Sequence, residues 1–172
     1  MSPNITPHKL RLLAGLLAMP GEDGLAVIAE LALTESWLLP AVAELTTAPW
    51  NLHRWQGECT RLFINGHPKT VCPPFESSYI HGYQNGAACD ELLHIYQYIG
   101  LQPQEDIFPD YLGIILEAAA YLAEQDPFDA ETWELLWQPH VVRWVPRFAK
   151  DLQDHSHLQF YRLLGVKLQE LF

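Results

Sequence analysis

The chain has 172 residues, of which 49% are hydrophobic and 18% charged, enough apolar surface to bury a core and too much for a disordered polymer. Ten Lys and Arg against 21 Asp and Glu leave a formal net charge of -11, which repels a nucleic-acid backbone or an anionic membrane and attracts basic ligands. The three cysteines, Cys59, Cys72 and Cys89, contain no C-x-x-C pair and suit a reducing cytosol, and no apolar run reaches the roughly 18 to 20 residues that cross a bilayer.

Helical periodicity runs along nearly the whole chain and alternating strand patterns do not persist, so the expected fold is all-α, one domain over residues 1–172 with about eight to ten helices. Thr6 caps the first helix, Pro7 suits its first position, and Leu10, Leu13, Leu16 and Leu17 share a face; this outweighs reading Lys9, Arg11 and Leu12 to Met19 as a short secretory signal. After the turn at Pro20 to Gly24, a second stripe follows Leu25, Ile28, Leu31 and Ala32, and Pro40 kinks or divides a third helix over 35–45. Pro49 opens a fourth, with Leu52, Trp55, Cys59, Leu62 and Phe63 on one side.

Asn65 to Pro68 and Pro73-Pro74 bracket a non-helical insert, and helix resumes over 85–99 with Gly100 as its stop. A second connection, 101–108, leads to Pro109 and to the cleanest stripe, Leu112, Ile115, Leu116, Ala119 and Ala123. A short helix over 130–137 and a break at Pro139 come next, then a helix over 140–152 bent at Pro146. Ser156 caps the last helix, which turns Leu158, Tyr161, Leu164, Leu168 and Phe172 inward.

Little of the usual catalytic apparatus is visible. The eight histidines form no H-E-x-x-H, the glycines form no phosphate loop, and no G-x-S-x-G is present. His155-Ser156-His157 reads as an interhelical turn, and Cys59 and Cys89 read as packing residues. A helical hydrolase using Asp110, Glu117 or His81 as acid, base or metal ligand is an alternative that no spacing enforces.

The informative words are Cys59-Thr-Arg-Leu62-Phe63, then Cys72-Pro73-Pro74-Phe75-Glu76-Ser77-Ser78-Tyr79, then Phe108-Pro109-Asp110-Tyr111-Leu112. In this order they resemble the TorD/DmsD-like family of redox-enzyme maturation chaperones, as do Trp144 to Phe148 and Phe160 to Arg162, so the likeness runs over about residues 8 to 172. Two positions depart from the family pattern: Cys59 stands where an aromatic residue is usual, and Tyr111 where histidine is favoured. Both belong to the family's leader-recognition positions.

The resemblance implies a cytoplasmic, cofactor-free, non-enzymatic chaperone, monomeric or a domain-swapped dimer. Its partners would be an apo-molybdoenzyme subunit and its twin-arginine leader, held until the molybdopterin cofactor is inserted and then released for export. A related alternative is a NarJ-like factor for a client that is not exported. The implied peptide-binding residues are Leu62, Phe63, Pro73, Pro74, Phe75, Glu76, Ser77, Tyr79, Pro109, Asp110 and Tyr111.

Physical chemistry asks the same of such a receptor: an apolar groove with carboxylates at one end. Glu76 and Asp110 are the carboxylates expected nearest the arginines, with Leu62, Phe63, Phe75, Tyr79 and Tyr111 as partly exposed apolar side chains. Each also has a structural alternative. Leu62 and Phe63 end a helical stripe and suit a core, the prolines stiffen a loop, Asp110 suits a first helical turn, and Glu76 suits a local bond to the loop backbone.

Overall fold

The computed structural model describes residues 4–83 and 86–172. Every regular element among them is helical, and the chain folds into two compact units. One comprises Met1–Ala18, Pro74–Phe148 and Glu170–Phe172; the other comprises Met19–Pro73 and Ala149–Gln169.

The first unit contains α1 (Pro7–Leu17), α5 (Glu76–Ile80), α6 (Gly86–Tyr98), α7 (Leu112–Ala123) and α8 (Ala130–Trp137), followed by a π-helical turn (Gln138–Val142). Thr6 caps α1 by accepting from the Lys9 N–H at 3.2 Å, and Leu10, Leu13, Leu16 and Leu17 are buried. α1 packs along α7, whose stripe of Leu112, Ile115, Leu116 and Ala119 is fully buried. Across this pair Arg11 forks onto Glu124, with its second nitrogen 2.6 Å from Oε2. α6 buries Ala88, Leu92 and Tyr96; the expected helix start at Asn85 lies outside the described residues.

The second unit contains α2 (Gly24–Leu31), a 3-10 turn (Ser36–Leu38), α3 (Leu39–Leu45), α4 (Leu52–Phe63) and α10 (Gln159–Gln169). Pro40 divides the third expected helix, as its missing donor requires, and sits in the first turn of α3. Trp55 meets Phe160 edge-on at 5.1 Å, and α3 packs on α10. α9 (Val145–His155) runs through the boundary between the two units' segments.

Several boundaries differ from expectation, most of them at prolines. Pro49 does not open α4; Asn51 does, by accepting from the Arg54 N–H at 3.0 Å. Pro139 lies inside the π-helical turn, and Pro146 takes the first turn of α9, where a missing N–H costs nothing, instead of bending a helix that began at His140. Phe172 is 48% exposed and lies against Trp137 at 6.2 Å instead of turning inward.

Candidate functional site

Two of the sequence words meet in the first unit. Phe75 and Tyr111 form an antiparallel bridge: the Leu112 N–H donates to the Pro74 carbonyl at 2.9 Å and the Glu76 N–H to the Asp110 carbonyl at 3.2 Å. Proline has no donor, so at Pro74 this pairing uses the only backbone group available. The bridge aligns the Phe75 ring with Phe108 at 6.1 Å and Tyr111 at 5.8 Å. Tyr79, one helical turn on, packs on Trp144 at 5.4 Å and Phe148 at 5.9 Å, with the Arg147 guanidinium 5.4 Å above its ring.

Asp110 lies outside α7, which begins at Leu112 with Tyr111 as its N-cap, so the expectation of a first-turn carboxylate is corrected. It caps a different helix. Its Oδ2 accepts from the Ser77 N–H at 3.0 Å and the Ser77 hydroxyl at 2.6 Å, at the start of α5, and its Oδ1 accepts from the Cys89 thiol at 3.4 Å. Burial, and then the Asp110 charge, push the Cys89 thiol up to about 11.

Glu76 is likewise interior. Its Oε2 lies 2.8 Å from His140 Nδ1, within hydrogen-bond distance. His140 Nε2 lies 3.7 Å from the exposed Glu91, and the His140 carbonyl accepts from the Trp144 indole at 2.6 Å. Tyr96 closes the junction by donating to the Pro109 carbonyl at 2.8 Å; burial, then the charges of Glu76 and Asp110, hold its phenol well above the ordinary range. His140 carries no sequence signal of this role, because its partner lies 64 residues away.

An apolar groove of about 390 Å³ opens beside this junction. Tyr111 and, from α6, Tyr96 form part of its wall, and the remainder comes from α1 and its C-cap, α7 and the 101–107 connection. Its floor consists of small residues, Ala14, Gly15 and Ala18 of α1 with Gly113 and Ala118 of α7, and Glu117 stands at its edge. The sequence gives little notice of the small residues; the one signal is the i, i+4 pair Ala14 and Ala18 beside Gly15, which leaves one helix face without bulk, and Glu117 stands out only as a candidate acid or base.

Leu62, Phe63 and Pro73 belong to the other unit. Leu62 and Phe63 are buried rather than partly exposed: they complete the α4 stripe, and Phe63 meets Tyr161 edge-on at 5.3 Å. The Cys72 N–H donates to the Leu62 carbonyl at 2.9 Å, folding the chain back before Pro73, and burial pushes the Cys72 thiol up to about 12. In the same unit the buried Glu58 takes a two-pronged contact from Arg61 at 2.8 Å and the His157 N–H at 2.7 Å. Burial opposes the Glu58 charge, but Arg61 and His157 hold its carboxyl below the ordinary range.

Of the residues considered for a hydrolase, Asp110 is buried while His81 and Glu117 are exposed. Among the described residues, no group of three His, Cys, Asp or Glu could hold a metal ion, and no helix is long and apolar enough to cross a membrane.

No curated protein sequence matches the chain. Over its whole length, the fold is similar to the crystal structure of a candidate redox enzyme maturation protein from Archaeoglobus fulgidus: TM-score 0.71, 23% identity, 99% of this chain and 95% of that one. At that identity the likeness speaks for the fold alone. The family model described as nitrate reductase delta subunit matches residues 25–150, well over half of the sequence, and the chain therefore belongs to that family of redox-enzyme maturation chaperones.

Proposed function

We propose that the chain captures the leader of an apo-molybdoenzyme subunit in the groove between α1, α7 and the 101–107 connection, and holds that client in the cytosol until its cofactor is in place. The observation that carries the reading is the groove itself, an open apolar trough with small residues where a bundle ordinarily packs bulk. An apolar peptide segment fits such a trough without bond chemistry. The acidic balance of the chain adds long-range attraction for a leader that carries arginines.

In this reading the buried junction sets the groove's shape. Asp110 and Ser77 hold α5 against the 109–111 segment, and the Phe75–Tyr111 bridge fixes the ring that forms the groove wall. Glu76, Pro74 and Pro109 act through that scaffold. Leu62, Phe63, Pro73 and Tyr79 are binding residues by resemblance alone.

A client that is never exported suits the same groove, and the match to the nitrate reductase delta subunit family favours keeping this second reading. Titration calorimetry with a synthetic leader tests the common element. Gly15 is exposed on the groove floor, and a Cβ there meets nothing within 4 Å, so Gly15→Phe starts a bulky side chain in open space at the trough, with thermal unfolding of the variant checking that the fold is kept. The leader should bind the native protein and lose at least about tenfold in affinity to Gly15→Phe. Equal binding to both proteins would place the peptide elsewhere.

A further inference from the structure

A second hollow, of about 840 Å³, lies on the outer face of α6. Resting on the groove reading above, we infer that it is a subsite for the basic stretch of the same polypeptide, with Asp90 as the carboxylate that receives it. Asp90, Leu93, His94 and Gln97 follow the i, i+3, i+4, i+7 spacing of a single helix face, opposite the buried Ala88, Leu92 and Tyr96.

The far wall is the strap Leu101-Gln102-Pro103, and these three residues also line the apolar groove. The two hollows therefore adjoin, with this strap as their common wall. A polypeptide lying in the groove reaches the second hollow by crossing it. The strap is fixed by the end of α6: Gly100 turns left-handed at φ +78, its N–H donates to the Gln97 carbonyl at 3.2 Å, and the Leu101 N–H donates to the Tyr96 carbonyl at 2.8 Å.

The lining chemistry of the two sides differs. The groove is lined mainly by small and apolar residues, with Glu117 and Gln104 among them; the outer hollow instead offers Asp90, His94 and Gln97, with Leu93 41% exposed among them, and Gln102 lines both. Neither hollow is lined by a Lys or Arg, and Asp90 has no ion pair among the described residues. An arginine suits such a surface, because its stem can lie along Leu93 while the guanidinium meets a carboxylate and side-chain amides. The occupant is thus a segment with an apolar run in the groove and guanidinium groups beyond the strap.

The test uses the full chain, the variant Asp90→Asn, and two peptides of equal apolar run, one with paired arginines and one with paired glutamines. At low salt Asp90→Asn should weaken the arginine peptide about five- to tenfold and leave the glutamine peptide unchanged, and the difference should shrink as salt rises. Equal affinity of the arginine peptide for native protein and Asp90→Asn would overturn the subsite while leaving the groove reading intact. Failure of both peptides to bind the native protein would overturn the groove reading and the subsite with it. Loss of both peptides alike in Asp90→Asn would show a general change of surface and also count against the subsite.

Discussion

The junction at Phe75 and Tyr111 and the groove beside it share one ring, yet they are made of opposite kinds of residue. The junction concentrates what a sequence displays most openly: two prolines in a row, buried carboxylates, a serine, a histidine and aromatic rings, nearly all with interior partners. The groove is lined largely by alanine, glycine and aliphatic side chains. Conspicuous residues here build a frame, and the space that frame defines is lined by residues with little chemistry of their own. Affinity for an apolar segment needs that division, since a trough filled with committed polar groups would have to be desolvated before anything bound.

The comparison is most severely tested at Asp110. Asp110→Ala leaves the Ser77 N–H and hydroxyl without acceptors in the interior, and should lower stability by about 3 kcal/mol in denaturant unfolding. Asp110→Asn keeps one acceptor oxygen and should cost about half as much. If Asp110→Ala left stability unchanged but abolished peptide binding, the carboxylate would be a contact residue and the division between frame and trough would fail.

Cys89 gives a finer view of the same carboxylate. Its thiol, raised to about 11 by burial and by Asp110, is nearly all protonated at neutral pH, and alkylation should stay slow and climb with pH up to that value. Asp110→Asn removes the repelling charge, lowers the thiol's pKa and should make alkylation of the folded variant at pH 8 roughly tenfold faster than that of the native protein. An unchanged rate would mean that the contact at Cys89 does not govern the thiolate.

The frame and the trough also differ in how far they can be read from sequence. The stripe Leu112, Ile115, Leu116, Ala119 and Ala123 announces α7 because burial of one helix face imposes a 3.6-residue period, and all are buried except Ala123, which is half-buried at the helix end. Prolines are less decisive. Pro40, Pro49, Pro139 and Pro146 each exclude a backbone donor, which serves equally at a first turn, a break or a π-helical turn, and only the neighbours decide. The motif words bring Phe75, Ser77 and Asp110 together, but no local rule shows that Asp110 caps α5 across 33 residues or that Glu76 meets His140. A concavity has still less signal, because it arises where bulk is missing and where a connection such as 101–107 happens to run.

Two glycines on the groove floor separate these influences at the smallest scale. Gly113 lies under Tyr111: a Cβ there would stand 2.4 Å from the ring's Cε1, so Gly113→Ala must push the tyrosine off its place beside Phe75. That displacement should destabilise by about 1 to 2 kcal/mol and weaken peptide binding together with it. Gly15 is the converse, an exposed position within α1 with open space around it. Gly15→Ala relieves a helix-interior glycine and should raise stability by about 0.5 to 1 kcal/mol, because the unfolded chain loses freedom that the helix never used. One methyl narrows the groove only slightly, so binding should hold. Thermal unfolding and peptide titration on the two variants measure both effects, and destabilisation by Gly15→Ala would mean that this stretch of α1 does more packing than its open face implies.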